Sequence, residues 1–455
     1  MKSDIIKINT PFSAASRECS ILDVSEDKID PEKIKDTPYV RIILISDKET
    51  SILVMSVDMG IFIQSEIDTI YGVIENQCGI PRSHILLCST HIHSAIDVEP
   101  RAFGKLIADT AALLQDELVQ VEHISVRQCV LANGLMFNRK YDFPNRDLGS
   151  ACIMFNDDCE IVDNTFDVTR QMEKYLNGLG TDLSFAGIHG KVLIDKECDQ
   201  RLHLVTFESG DGRVISAFCR FNAHPVVTSR AKVGNFTSSD FPGVMSKRLK
   251  QAIGCPVLPL NGAFGNTRAL NHEYSFKEAK RIGEALADSV LKGKNISHGA
   301  DPIVIRHTTA YLPLKDILHG SRKDIEKRLA DTEEQLDASN GPVEKKTLME
   351  KKDTMTFFKD FTKWFRIDKN AVETDFRYCD LGPIRFFTIS GEPLVELASA
   401  IEDTSGALVI GNCGHDILYL PTPEEAAKGG YEPSCCIIAD KGLDMIVDIA
   451  RELSK

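Results

Sequence analysis

Apolar and polar positions alternate along the chain in a way that predicts strands and helices in turn. Residues 40–58 form two β-rich runs joined by a polar turn at 46–50, and apolar residues at helical spacing follow over 67–74. A short apolar run, 85–88, then precedes an amphipathic helix over 103–118. This order predicts an α/β fold in which a mixed β-sheet is flanked by helices.

The second half of the chain continues the same pattern. A strand ending at His224 is followed by a helix over 242–253 that Gly254 terminates, and Ser275 with Glu278 indicates a capping box at the start of the next helix. We find no internal repeat that would divide the chain. Length alone allows one large domain or two to three smaller ones.

Two regions depart from this alternation. Residues 133–202 are rich in Asn, Asp and Gly, which is typical of long binding loops. Residues 315–366 are strongly charged, carry apolar positions at helical spacing and are interrupted at 338–342, so we predict an inserted helical hairpin. Its second arm carries the aromatic residues Phe357, Phe358, Phe361, Trp364 and Phe365. One interpretation is an arm that packs on the rest of the chain or forms a homo-oligomer, and the other is a cover over an active site.

Charge and cysteine content exclude several classes of protein. A formal net charge of -14 argues against a general nucleic-acid binder or a binder of anionic membranes. The first residues lack the apolar core of a signal peptide, and no apolar run is long enough to cross a bilayer. The 13 cysteines include no CxxC pair. We expect a cytoplasmic protein with neither a nucleic-acid partner nor integral membrane association.

Candidate metal ligands follow four of the predicted strands. His91 and His93 come directly after one strand, and in an extended segment residues i and i+2 point to the same side, so we expect their rings to project together. His224, Glu392 and Tyr419 follow or adjoin three others. Two imidazoles, a carboxylate and a phenol suit zinc with an open position for water. Each residue also has a local explanation, such as a strand end, a helix cap or a half-buried aromatic, and periodicity alone does not establish that the four converge.

An ordered series of motifs runs through the chain. In order these are INTPFS, CSTHIHS, NRKY, FNAHPVVTS, SSDFPG, LNGAFGN, ISGEP and YLPTPEEAAKGGYE. On these motifs the chain resembles the N-terminal catalytic domain of the neutral/alkaline, non-lysosomal ceramidases and their shorter bacterial relatives. Members of that family are zinc amidases that cleave the N-acyl bond of ceramide. The resemblance implies a single metallohydrolase domain over residues 1–455 with one zinc ion per chain.

The resemblance also implies roles for individual residues. The residues that match the family's metal ligands are His91, His224, Glu392 and Tyr419. The residues that match groups near the scissile amide are His93, Arg139 and Tyr431. Donors such as these stabilise the oxyanion of a tetrahedral intermediate, and His93 is the leading candidate to protonate the departing amine.

One loop departs from the family's pattern. The family carries an active-site serine in a GDxS-like motif, and Arg268 stands at its position here, with Thr267 beside it. An arginine there implies that the pocket meets an anionic or strongly polar group of the substrate. The alternative is that Arg268 points away and pairs with a surface carboxylate. We also expect no counterpart of the ceramidases' C-terminal immunoglobulin-like domain.

Three functions fit this sequence. The first is a zinc-dependent hydrolase that uses metal-activated water to cleave an N-acyl amide bond in a small, polar or anionic substrate. The second is a true ceramidase or lipid amidase, and the third is a catalytically inactive metal-binding assembly protein. Because the presumed ligands and the oxyanion donors are all present, the sequence favours an enzyme over the third.

Overall fold

The structure is a computed structural model. It describes residues 3–26, 29–131, 135–142, 149–155, 161–163, 198–229, 233–271 and 273–455. In chain order, the described strands are β1 (Asp4–Ile8), β2 (Ser13–Ser20), β3 (Tyr39–Ser46), β4 (Ser51–Val57), β5 (Ile85–Ser89), β6 (Val119–Gln120), β7 (His123–Val130), β8 (Met136–Asn138), β9 (Lys140–Asp142), β10 (Ser150–Phe155), β11 (Ile161–Asp163), β12 (Arg201–Glu208), β13 (Val214–Phe221), β14 (Val257–Asn261), β15 (Thr267–Ala269), β16 (Lys294–Gly299), β17 (Ile303–Pro313), β18 (Ile367–Asp368), β19 (Ala371–Asp380), β20 (Arg385–Ile389), β21 (Glu392–Pro393), β22 (Leu408–Ile410) and β23 (Tyr419–Leu420).

The described helices are, in the same order, α1 (Gln64–Cys78), α2 (Pro100–Asp116), α3 (Asp240–Ile253), α4 (Phe276–Leu291), α5 (Arg322–Ala338), α6 (Pro342–Phe361), α7 (Val395–Ser405), α8 (Pro423–Ala427), α9 (Tyr431–Cys435) and α10 (Asp440–Leu453). None of these helices combines the length and the apolar character needed to cross a bilayer.

Three larger sheets form the frame, with strand orders β5-β4-β3-β2-β6, β14-β13-β12-β7-β16 and β1-β17-β19-β20-β22. In each sheet most neighbours are antiparallel, but one edge strand runs parallel to its neighbour: β5 to β4, β14 to β13 and β22 to β20. The predicted α/β class with mixed β-structure flanked by helices is confirmed. Most of the described strands are divided among these three mixed sheets instead of one, and the others form small sheets of two or three strands.

Each sheet has buried apolar residues on both of its faces. The pair α1 and α2 packs on the first sheet, α3 and α4 on the second, and α7 and α10 on the third. The opposite faces meet in one apolar cluster that contains residues of all three sheets, such as Ile45, Leu258 and Phe386. Burial on both faces explains why apolar and polar residues do not alternate in β5, or in β14 before Asn261.

Hydrogen bonds tie together the loops that follow the parallel edge strands. Asn261, the last residue of β14, donates through Nδ2 to the carbonyl of Thr90 at 2.8 Å. The amide of Gly411 donates to the carbonyl of Asn261 at 2.9 Å, and the amide of Ser89 donates to the carbonyl of Asn412 at 3.1 Å. Buried polar groups require such partners. The bonds therefore hold the loops of three separate sheets at one place.

Helices α5 and α6 pack against each other as a hairpin within residues 315–366. Phe358 and Phe365 are buried in the core beneath the third sheet, with Phe357 packed against it. These contacts are made within the chain, so a homo-oligomer formed through the hairpin stays a prediction. Within 133–202, the described parts include the short strands β8 to β11, and the rest of the predicted long connections lies outside the described residues.

Candidate metal centre

His91 lies two residues beyond the end of β5, where the backbone turns. Its φ of 63° is in the left-handed region, so the chain is not extended through His91 and His93. The prediction that an extended segment brings the two rings together is therefore wrong. Their rings nevertheless lie 5.3 Å apart between centroids, because the amides of Thr90 and Ile92 donate to Val57 and Met59 and hold the turn against the end of β4.

His224 reaches the same place from the loop after β13. Its ring centroid lies 4.9 Å from that of His91, and the residue is 1% exposed. Its Nδ1 lies 2.8 Å from the carbonyl oxygen of Phe264, an acceptor, so Nδ1 carries the proton and Nε2 presents a lone pair. This tautomer is the one that binds a metal through Nε2.

Glu392 enters from the loop after β20. The preceding Gly391 has φ of 89°, a torsion that favours glycine, and a Cβ there would lie 2.5 Å from the carbonyl oxygen of Leu418. The amide of Glu392 in turn donates to that carbonyl at 2.9 Å. The carboxylate Oε2 lies 3.0 Å from Nε2 of His224, and Oε1 lies 3.6 Å from Nε2 of His91.

Both histidines are neutral in this environment. Burial lowers the pKa of His91 to about 3 against the opposing effect of Glu392, and burial lowers the pKa of His224 well below its ordinary value. Among the residues that the structure describes, none donates a hydrogen bond to the buried Oε2 of Glu392, since the nearby Nε2 of His224 carries a lone pair. Lone pairs that face one another repel unless a cation lies between them. The three side chains could thus hold a cation.

The distances between these atoms fit a zinc-sized ion. Ligand atoms of a tetrahedral zinc site with bonds of ~2.0–2.1 Å lie ~3.3 Å from one another. The observed separations involving His91, His224 and Glu392 are 3.0 and 3.6 Å, and the hydroxyl oxygen of Tyr419 lies 3.4 Å from Nε2 of His224. All four predicted ligands are therefore brought together by the fold.

Arg139 connects Tyr419 to the surrounding loops. Its Nη2 donates to the Tyr419 hydroxyl at 3.0 Å and to the carbonyl of Gly265 at 2.8 Å, and its Nε donates to Glu432 at 2.9 Å. Burial, together with Glu392 and Tyr431, raises the pKa of Tyr419 well above its ordinary value. The phenol is accordingly protonated unless a cation stabilises its anion.

His93 and Tyr431 lie beside the four presumed ligands. His93 is exposed, although desolvation by the surrounding protein lowers its pKa to about 4, and its ring centroid is 6.0 Å from that of His224. A ring nitrogen of His93 lies within 4.8 Å of nitrogens of His91 and His224, so His93 is also within reach of a metal. Tyr431 begins α9, and its ring centroid is 5.5 Å from that of Tyr419.

Arg268 and Thr267 form part of β15, next to His224. Arg268 is only 1% exposed, which does not fit a surface ion pair. Its Nη2 donates to the hydroxyl of Tyr274 at 3.3 Å, and its charge contributes to the lowered pKa values of His93 and His224. Thr267 accepts the backbone amide of His224 through its carbonyl at 2.8 Å.

Sequence patterns did not single out three polar residues that support the site. With its amide oriented to satisfy its neighbours, Asn412 accepts from Nδ1 of His91 at 2.8 Å and donates to Asp416 at 3.1 Å. A carboxylate oxygen of Asp416 lies within 4.8 Å of ligand atoms of His91 and Glu392, so Asp416 is also within reach of a metal. Glu432, which pairs with Arg139, is fully buried. Asn412 lies just after a predicted strand and Glu432 follows the predicted site residue Tyr431, but only their burial in the structure reveals that they support the site.

Comparisons with known proteins agree with this arrangement at the level of the fold. The structure is similar to that of neutral ceramidase from Pseudomonas aeruginosa, with a TM-score of 0.63 and 13% sequence identity over 98% of this chain and 74% of that one. It is also similar to a structure described as ceramidase complexed with C2, with a TM-score of 0.62 and 11% identity over 98% of this chain and 75% of the other. No family model matches the sequence, and no curated protein matches it either. The likeness confirms a ceramidase-like fold across nearly the whole chain.

Proposed function

We propose that the protein is a metal-dependent hydrolase that cleaves the amide bond of an N-acyl compound. The observation that carries this proposal is the convergence of Nε2 of His91, Nε2 of His224 and the carboxylate of Glu392, with the histidines held neutral and the carboxylate oxygen facing lone pairs. The solved ceramidases with a similar fold support the reaction class.

The metal proposed for this site is one zinc ion, held by His91, His224, Glu392 and Tyr419. Nitrogen, carboxylate and phenol donors suit this borderline ion. When bound, zinc supplies Lewis acidity and makes water a nucleophile at neutral pH. Asn412 orients the His91 ring by accepting a hydrogen bond from its Nδ1–H, and the carbonyl of Phe264 does the same for His224.

The neighbouring side chains have roles in breaking the C–N bond. Water adds to the carbonyl carbon, and the oxyanion that develops is stabilised by the hydroxyl of Tyr431 and the guanidinium of Arg139. His93, neutral at pH 7, takes a proton from the attacking water and delivers it to the leaving nitrogen. The products are a carboxylic acid and an amine.

The preferred substrate in this proposal carries an anionic group near the scissile amide. Arg268 is buried and its charge acts on His93 and His224, and a buried guanidinium is favourable when it meets an anion. An N-acyl amino acid has a carboxylate at a suitable position. Ceramide lacks one, and we expect its turnover to be weak. A true ceramidase is the second candidate, and the fold shared with two solved ceramidases favours it.

Elemental analysis of purified variants tests the metal centre. His91→Ala removes a ligand, so we expect zinc to be lost together with hydrolysis of N-acyl amino acids. The control is His298→Ala, which changes an exposed histidine on β16 and should retain both. Full zinc occupancy and activity in His91→Ala would refute the site.

A further inference from the structure

A cavity of about 340 Å³ lies between helices α6 and α9, beside the metal centre. Phe357 and Phe361 form its wall on the α6 side, and Tyr431 and Cys435 form the wall on the α9 side. Its volume is near the lower end of the range of ~300–1,000 Å³ found for small-molecule sites. The cavity is therefore large enough for a medium-sized group but not for two long hydrocarbon chains.

The cavity and the metal centre share a wall. Tyr431 lines the cavity, and its ring lies 5.5 Å from that of the presumed ligand Tyr419. Phe357 packs on the small apolar cluster formed by Tyr419, Leu394 and Cys435. A substrate whose amide lies next to the Tyr431 hydroxyl thus has one of its ends beside this cavity.

The charged groups around the cavity disfavour an anion inside it. Its lysines are engaged with carboxylates: Lys346 pairs with Glu350, and Lys352 lies 3.1 Å from Glu333. Asp353 and Asp360 also line the wall. Burial raises the pKa of Asp353 to about 6 against the opposing charge of Lys352, with a smaller contribution from Glu350, which is the response of a carboxyl group to surroundings of low polarity.

We infer that this cavity binds the uncharged acyl chain of the substrate and selects chains of medium length. The inference rests on the proposed hydrolase, in which the anionic end of the substrate lies toward Arg268. An acidic rim excludes that end from the cavity, and the aromatic walls of α6 and α9 favour a hydrocarbon. The hairpin predicted from the sequence then serves as a specificity element of the active site.

A series of N-acyl glycines with acetyl, hexanoyl, decanoyl and palmitoyl chains tests chain selection. We expect kcat/KM to rise from acetyl to decanoyl by up to about fourfold for each methylene group that leaves water. Palmitoyl should give no further gain because the cavity is then full. Equal kcat/KM for acetyl and decanoyl glycine would overturn the inference.

Two matched substitutions on α6 locate the effect. Thr356 lines the cavity, whereas Thr347 is exposed on the same helix and does not line it. Thr356→Phe fills the cavity, so we expect kcat/KM for decanoyl glycine to fall at least tenfold, and the ratio of kcat/KM for decanoyl glycine to that for acetyl glycine to fall with it. Thr347→Phe should leave both substrates unchanged. Equal losses in the two variants would overturn the assignment.

Binding of decan-1-ol gives a readout that needs no catalysis. Trp364 is the only tryptophan in the chain, and its ring lies 4.1 Å from that of Phe361 in the cavity wall. We expect decan-1-ol to change Trp364 fluorescence in the wild type and not in Thr356→Phe. If decan-1-ol binds to the wild type and not to Thr356→Phe, but no N-acyl compound is hydrolysed, the proposed hydrolase is rejected and the cavity is still an apolar binding site. Absence of binding by fluorescence and by calorimetry would reject the site itself.

Discussion

At the residue scale, the candidate metal centre combines unusual backbone torsions with buried polar side chains. His91, Asn412 and Leu418 are non-glycine residues with φ of 63°, 48° and 68°. Such torsions cost about 1–3 kcal/mol each and persist where the surrounding contacts hold them. Here, Asn412 bonds to His91 and the carbonyl of Leu418 accepts the amide of Glu392, so the strained positions orient the presumed ligands directly.

Replacement of one hydroxyl separates chemistry from metal binding. We expect Tyr431→Phe to keep its zinc and its fold and to lose about 100- to 1,000-fold in kcat, because only an oxyanion donor is removed. Tyr311→Phe is the control, since Tyr311 is 47% exposed and distant in sequence from the site. Steady-state kinetics with elemental analysis measures both effects. Wild-type kcat in Tyr431→Phe would contradict the assigned role.

Substrate charge is tested at Arg268. We expect Arg268→Ser to raise KM for an anionic N-acyl compound by the equivalent of about 2–5 kcal/mol, because a buried charge pair is lost. Arg213→Ser, at an exposed position, should leave KM unchanged. Efficient cleavage of ceramide by the wild type, unaffected by Arg268→Ser, would favour the lipid amidase instead.

At the scale of elements, local periodicity predicted most of the strands and helices that carry the site. The helix expected over 103–118 is α2, which begins three residues earlier at Pro100, and Gly254 ends α3 in the left-handed region as expected. The capping box at α4 is only half formed, because Ser275 accepts the amide of Glu278 while the Glu278 side chain pairs with Arg281. A nearby cation competes for a carboxylate, and sequence spacing does not reveal that competition.

Close packing of α3 against α4 depends on a glycine. A Cβ at Gly283 would lie 2.6 Å from the carbonyl oxygen of Phe241 and 2.7 Å from Cβ of Val244. We expect Gly283→Ala to destabilise the protein by about 1–3 kcal/mol through overpacking. Gly72→Ala in α1 is the matched control: a Cβ there meets nothing within 4 Å, so it should be neutral or stabilise by up to ~1 kcal/mol. Urea unfolding measures both, and equal effects would contradict this packing.

At the scale of the whole molecule, three mixed sheets share one core and present their parallel edge strands to a common junction. The loops at this junction carry His91, His224, Glu392 and Asn412, so the site forms only when all three sheets are in place. Metal binding and global stability should consequently be linked, because an ion bound only by the folded state stabilises it.

Buried histidines make stability depend on pH. Burial lowers the pKa of His203 to about 3, whereas the unfolded chain titrates near ~6.5. Below pH ~6.5 the unfolded state therefore binds more protons than the folded state. The contribution of neutral His203 to the unfolding free energy is complete above that pH and is lost as the pH falls toward 3. We expect the unfolding free energy of metal-free wild type to fall more steeply between pH 6 and pH 4 than that of His203→Leu, by about 1.4 kcal/mol per pH unit. Parallel curves would contradict a neutral, buried His203. Burial raises the pKa of Asp240 to about 6, and its contribution to the pH dependence of stability has the opposite sign. That contribution is present in both proteins and cancels when the two curves are compared.

The sequence by itself determined the α/β class, most of the strands and helices, and the residue types of the candidate metal site, because these follow from local periodicity and from motifs read in order. Only the tertiary structure decided that His91, His224, Glu392 and Tyr419 meet, that Arg268 is buried, and that Asn412, Asp416 and Glu432 support the site. The reason is physical. Convergence of the candidate ligands depends on how three sheets pack around a shared core, and the protonation state of each side chain depends on its burial. Neither packing nor burial is a property of neighbouring residues in the chain.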